Sequence, residues 1–334
     1  QYKYTEEYFN MKNKIALEEH FATEDTLEDS YDSIYPEKWH EIKYHIQAVG
    51  EQRLRQMDNA GIELAIVSLN APAIQRIHDP VRAIEVAHRA NDALAEQIEK
   101  HRDRFRGFAA LPMQDPDAAT EEMTRCFVDL GFVGALVNGF SQHESEDTAL
   151  YLDDGRYDAF WEVFAAFQRP FYLHPRNPLP SRAQVYQGHP WLLGSAWAFG
   201  VETATHALRL MGSGLFDRHP DLQLVLGHLG EGLPALIWRI DHRVENEPRG
   251  YPCSHSFQHY FSHNFHVTTS GNFRSSALQV ALQELGIERI IFSTDFPFEE
   301  MQWASDWFDT LPLSENDKLK ISRHNALNLF NLPH

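Results

Sequence analysis

A chain of 334 residues with 43% hydrophobic and 12% aromatic content can bury a large core, and it holds no apolar run of about 18 residues that would cross a membrane as a helix. Its formal charge of −19 argues against general nucleic-acid binding. Its two cysteines, Cys126 and Cys253, give no disulfide framework and fit a reducing cytoplasm.

The polar, acidic residues 1–10 read as an extension ahead of a natural start at Met11, with no secretory signal. From there short apolar runs alternate with longer helical patterns. Strands are expected at 15–17, 64–69, 105–111, 134–137, 171–173, 222–226, 265–269 and 289–292. Several are uninterrupted apolar runs, as in strands buried on both faces of a parallel sheet. Helices are expected at 80–101, 115–130, 158–167, 202–211, 233–245, 275–285, 304–310 and 315–329. Asp115-Pro116-Asp117 supplies a cap and a first-turn proline for the second of these. Residues 21–56 form a long polar and aromatic insertion after the first strand, and 246–264 read as a loop excursion. Eight strand–helix units point to a single (β/α)₈ TIM-type barrel over residues 11–334, with a doubly wound open sheet as the alternative.

In such a barrel, chemistry gathers at the C-terminal ends of the strands. The first strand ends in Glu18-Glu19-His20. Residues two apart on a strand share a side, so Glu18 and His20 project together, with Glu19 opposite. The fifth strand ends at His174 and the eighth at Asp295. Taken alone, a histidine after an apolar strand is more often a hydrogen-bonded core residue, and an aspartate there more often a helix cap. Together they form a set of two nitrogens and two oxygens that suits Mn²⁺ or Zn²⁺. His228 and Glu231 lie three apart at the turn after the sixth strand, where the carboxylate can orient or charge the imidazole. Arg239 on the following helix either reaches an anion or pairs with Asp241 or Glu245.

These residues also carry a resemblance. The segments Ala16-Leu17-Glu18-Glu19-His20-Phe21, Ser68-Leu69-Asn70-Ala71-Pro72, Gly134 to Gln142, Phe171 to Pro178, Gly227-His228-Leu229-Gly230-Glu231 and Phe292-Ser293-Thr294-Asp295 resemble the metal-dependent nonoxidative decarboxylases of the amidohydrolase superfamily. Within that family they are most similar to the γ-resorcylate (2,6-dihydroxybenzoate) group. The resemblance implies a barrel, a homo-oligomer that is usually a tetramer, and one divalent metal on Glu18, His20, His174 and Asp295, with no organic cofactor. It makes His228 with Glu231 the acid/base pair and Asp295 the proton donor to carbon. Asn138, Phe199, Arg239 and Phe298 would line the pocket, with Phe21 near the substrate. Glu-x-His replaces the His-x-His common among hydrolytic members, which favours decarboxylation. Decarboxylases of 2,3-dihydroxybenzoate, salicylate or 5-carboxyvanillate, and a metal-dependent lactone or amide hydrolase, are the alternatives. The expected partner is a small aromatic carboxylate, with no nucleic acid or membrane.

Loss of CO₂ from an aryl carboxylate leaves an unstable aryl anion unless the ring carbon is protonated first. An ortho hydroxyl pushes electron density to that carbon, and a positioned acid delivers the proton. A metal-bound carboxylate such as Asp295 is an uneasy acid, because the cation lowers its pKa. His228, charged by Glu231, is the other candidate donor.

Overall fold

The parallel ladder of this chain is built from short apolar runs that carry hydrophobic side chains on both faces, so neither face can be left to water. The computed structural model describes residues 11–33 and 36–333. Its main strands are β1 (Lys14–Phe21), β2 (Ile62–Leu69), β3 (Phe105–Ala109) and β4 (Gly134–Asn138), then, after a small hairpin of β5 (Ser141–His143) and β6 (Ser145–Leu150), β7 (Phe171–His174), β8 (Leu224–Leu226), β9 (Phe265–Thr268) and β10 (Ile290–Ile291). Eight of them pair in parallel in the order β1-β2-β3-β4-β7-β8-β9-β10. The two edges then meet. His20 N–H donates to the Phe296 carbonyl at 2.7 Å, and Asp295 N–H donates to the Glu18 carbonyl at 3.0 Å. Lower in the seam Ser293 Oγ accepts from Glu18 N at 2.6 Å. The sheet is therefore a closed (β/α)₈ barrel, and the open-sheet alternative falls.

The helices are α1 (Pro36–Gln47), α2 (Glu51–Ala60), α3 (Pro80–Lys100), α4 (Pro116–Val128), α5 (Asp158–Phe167), α6 (Ala198–Met211), α7 (Leu215–Arg218), α8 (Leu233–Asn246), α9 (Phe257–Asn264), α10 (Ser275–Leu285), α11 (Met301–Asp309), α12 (Glu315–Leu319) and α13 (Asn325–Leu329). Asp79 and Asp115 cap α3 and α4, their side chains accepting the first free N–H groups ahead of a first-turn proline. Inside the barrel, Ile15, Leu17, Leu64, Ile66, Tyr172 and Val225 pack together, and Leu327 and Phe330 of the chain end join them. The intervening strand residues, such as Ala16, Ala65, Val67 and Leu226, face the helices in a second, larger apolar layer.

Several expectations change. The insertion at 21–56 holds α1 and α2, with a 3₁₀ turn at Leu27–Ser33 before them. The excursion at 246–264 ends in α9, capped by Ser256. The helix expected at 315–329 is interrupted by a π turn at Lys320–His324. The extension at 1–10 lies outside the described residues.

The decisive local irregularity is in β1. Ala16 pairs with Ala65 and Glu19 with Val67, so three steps on β1 oppose two on β2. A bulge of this kind switches the side-chain alternation. Ile15 and Leu17 face the barrel interior, yet beyond the bulge Glu18 and His20 turn to the mouth while Glu19 turns to the β10 side.

Candidate active site

Four side chains converge where β1, β7 and β10 end. Glu18, His20, His174 and Asp295 each offer a ligand atom, and these atoms all lie within 4.8 Å of one another. His174 Nε2 is 3.2 Å from Glu18 Oε1, and His20 Nε2 is 3.4 Å from Asp295 Oδ1. Glu18 Oε1 and His20 Nε2 are buried with no hydrogen-bond partner. A buried carboxylate oxygen and imine nitrogen left unpaired are costly by themselves. They fit a divalent cation, and the mixed oxygen and nitrogen donors suit Mn²⁺ or Zn²⁺.

The rest of each ligand is tied down. Glu18 Oε2 accepts from the hydroxyls of Tyr172 and Ser270, and from Thr268 Oγ1 at 3.2 Å. Burial alone would raise the Glu18 pKa, but the neighbouring His228, His174 and His20 hold it far below the carboxylate range. His20 Nδ1 meets Ser68 Oγ at 3.0 Å, which leaves Nε2 as the free nitrogen. Arg53, buried on α2, donates to the His20 carbonyl at 2.6 Å. Burial lowers the His174 pKa, against the opposing pull of Glu18. A neutral imidazole is the form a metal needs.

Two glycines make the close approach feasible. A Cβ on Gly227 would sit 2.6 Å from Glu18 Oε2. On Gly271, whose φ is +59°, it would sit 2.9 Å from the His228 ring and 3.1 Å from Asp295 Oδ2.

His228 stands beside this cluster. Its Nδ1 is 2.6 Å from Glu231 Oε1. Its Nε2 is 3.5 Å from Asp295 Oδ2 and 3.7 Å from Glu18 Oε1. Burial lowers its pKa, but the charges of Glu231 and Glu18 and the bonds to Asp295 and Glu231 outweigh burial and raise it well above the usual imidazole value. The turn that presents it is strained. His228, Leu229 and Glu231 have φ between +53° and +57°, and Asp295, after β10, has +73°, which for residues with a Cβ costs on the order of 1–3 kcal/mol each. Leu229 N–H to the Thr268 carbonyl and Gly230 N–H to the Gly227 carbonyl, both 2.7 Å, hold the turn.

A cavity of about 350 Å³ opens over these groups, with His174, His228 and Asp295 at its floor. Phe199 and Phe298 form its walls, and the Phe298 ring lies 5.6 Å from that of His20. Phe199 reaches it because α6 begins at Ala198, ahead of the expected 202–211.

Three residues expected at the pocket lie outside the lining of this cavity. Phe21 is buried in the layer between sheet and helices and lines no part of the cavity. Arg239 is exposed on α8 and does not line the cavity. Asp241, its suggested partner, instead accepts from Phe257 N and Gln258 N. Asn138 is buried below the cavity, where its amide donates to the carbonyls of Asn70 at 2.9 Å and Pro72 at 3.3 Å, bracing that loop. Sequence reasoning missed Tyr172, Thr268 and Ser270 around Glu18. It also missed Lys38, Ile42 and Glu299, which line the cavity.

Residues 39–332 match the amidohydrolase family. The chain belongs to that family. It is similar to the γ-resorcylate decarboxylase of Rhizobium sp. (strain MTP-10005), 56% identical over 325 residues that cover 96% of this chain and 99% of that one. Among solved structures it matches a 2,6-dihydroxybenzoate decarboxylase complexed with 2,6-dihydroxybenzoate, with a TM-score of 0.95 and 56% identity over 96% of this chain and 100% of that one. A dihydroxybenzoic acid decarboxylase from Polaromonas sp. JS666, with bound manganese and the inhibitor 2-nitroresorcinol, matches with a TM-score of 0.94 and 56% identity over 96% and 98% of the two chains. The cluster on β1, β7 and β10 is thus the candidate metal centre of an amidohydrolase-family barrel.

Proposed function

We propose that this chain is a metal-dependent, nonoxidative carboxy-lyase that converts 2,6-dihydroxybenzoate reversibly to resorcinol and CO₂. The observation that carries this reading is its 56% identity, over 96% of the chain, to a γ-resorcylate decarboxylase. Glu18, His20, His174 and Asp295 would hold the cation, Mn²⁺ first and Zn²⁺ second. Bound manganese in the Polaromonas relative supports that order. When bound, the cation supplies positive charge that neutralises the substrate carboxylate and favours ionisation of the neighbouring hydroxyl.

The side chains supply the rest. Phe199 and Phe298 hold the ring and exclude water. His228, its Nδ1 tied to Glu231, exchanges the proton of a ring hydroxyl at Nε2. Asp295 Oδ2 delivers a proton to the carboxyl-bearing carbon. The bond to the carboxylate then breaks, its electron pair returns to the ring and CO₂ leaves. His228, 3.5 Å from Asp295, is placed to reload it.

We read residues 11–334 as one catalytic domain, acting as a homotetramer in the cytoplasm. Exposed Trp191, Trp197 and Trp238 support association, since they leave apolar surface for a second copy to cover. Two free cysteines, Cys126 and Cys253, support a reducing compartment. The test is to supply the purified chain with Mn²⁺ and 2,6-dihydroxybenzoate and to follow absorbance and products. Resorcinol and CO₂ are expected, with little turnover of 2,3-dihydroxybenzoate. Hydrolysis of a lactone or amide to a ring-opened acid, with no aromatic acid consumed, would overturn the assignment.

A further inference from the structure

Two charged side chains at the mouth of the cavity have no part in that reaction. Lys38 comes from α1 and Glu299 from the segment after β10, and both line the same space. Lys38 is the sole Lys or Arg lining it among the described residues, in a chain whose formal charge is −19. It is exposed, so water and salt screen its charge. Glu299 is different. It is only partly exposed, and its N–H donates to the Asp295 carbonyl at 3.1 Å, which fixes its backbone in the turn that carries Asp295.

The reacting end of an aromatic acid belongs at the floor, with His174, His228 and Asp295. A ring held between Phe199 and Phe298 then turns its far edge to the mouth. A hydroxyl at that edge can donate to Glu299. A second carboxylate there meets a like charge in a partly desolvated space, where repulsion is several times its value in water. The screened attraction of Lys38 is too weak to offset this.

We propose that Glu299 is a specificity-determining residue that selects against aromatic acids carrying a second carboxylate, while Lys38 draws singly charged acids to the mouth. This rests on the hydroxybenzoate reading of the site. The matched probes are salicylate and 4-hydroxyisophthalate, which differ by one carboxylate. Binding of each to the Mn²⁺-loaded full chain is measured by calorimetry, for wild type and Glu299→Gln. The variant should shift the affinity ratio toward the dicarboxylate at least tenfold. Lys38→Met should weaken salicylate binding severalfold and flatten its salt dependence. An unchanged ratio in Glu299→Gln, with the wild type turning over 2,6-dihydroxybenzoate, overturns the Glu299 assignment alone. A wild type that neither binds nor turns over any hydroxybenzoate overturns both this assignment and the reading beneath it.

Discussion

Glu18 is a carboxylate with its two oxygens in unlike surroundings. Oε2 is surrounded by the hydroxyls of Tyr172, Thr268 and Ser270, while Oε1 has no hydrogen-bond partner. The hydroxyls fix the carboxylate so that its free oxygen faces His174 and His20. Outer partners of this kind typically support metal affinity by about 10–100-fold. Tyr172→Phe keeps the ring in the barrel core and removes one donor. Its Mn²⁺ affinity, measured by chelator competition, should fall about tenfold; an affinity equal to wild type would show that the hydroxyl does not orient the ligand. Asp295 and His228 divide the proton work, and substitution separates them. Asp295→Asn should abolish turnover while retaining metal and 2-nitroresorcinol binding, and near-normal turnover in that variant would transfer the acid role to His228.

At the scale of elements, the site depends on one bulge and one strained turn. The bulge in β1 carries Glu18 from the parity of Ala16 to that of Leu17. The turn after β8 keeps His228 over the cluster, and Gly271 is the space it occupies. Gly271→Ala would place a methyl 2.9 Å from the His228 ring at a φ of +59°. Because the clash and the backbone conformation both oppose it, kcat should fall at least tenfold with the metal still bound. Unchanged kcat would mean that the turn yields freely. These features also mark what the sequence made legible. The eight strands stood out because both their faces are buried, and Glu18, His20, His174 and Asp295 because charged groups are rare at the ends of apolar runs. The bulge left no trace, since Leu17 and Glu18 look like any strand ending in a polar residue. Tyr172, Thr268 and Ser270 drew no role, since uncharged hydroxyls in or after a strand carry no signal of their own. Arg239 and Phe21 lie outside the lining of the cavity, since the pattern gives a residue's element but not the direction in which its side chain leaves the barrel.

Across the whole molecule, closure of the barrel and assembly of the site share one seam, so global stability should report on the site. Binding of a cation to the folded form alone adds stability by mass action, about 2.7 kcal/mol at a hundredfold excess over Kd. Removal of metal by a chelator should therefore lower Tm by several degrees, and added Mn²⁺ should restore it. The seam itself contains a second reporter. Glu19, on the far side of β1 from the cluster, accepts from Thr294 N at 2.9 Å and Thr294 Oγ1 at 2.6 Å. Burial raises its pKa to about 8 from an ordinary 4.5, with the Thr294 bonds and the buried Arg53 pulling the other way. A carboxyl raised on folding is protonated in the folded state and ionised in the unfolded one between those values. Stability from this group is thus present below pH 4.5 and is lost as pH rises toward about 8. Glu19→Gln keeps a neutral side chain of the same shape and removes the titration. Measured on metal-free protein, so that the cation does not obscure the comparison, the Tm of wild type relative to Glu19→Gln should fall steadily from pH 5 to pH 8 and level off above it. Parallel curves would place the proton elsewhere and leave Glu19 an ionised anchor of the seam, paired with Arg53.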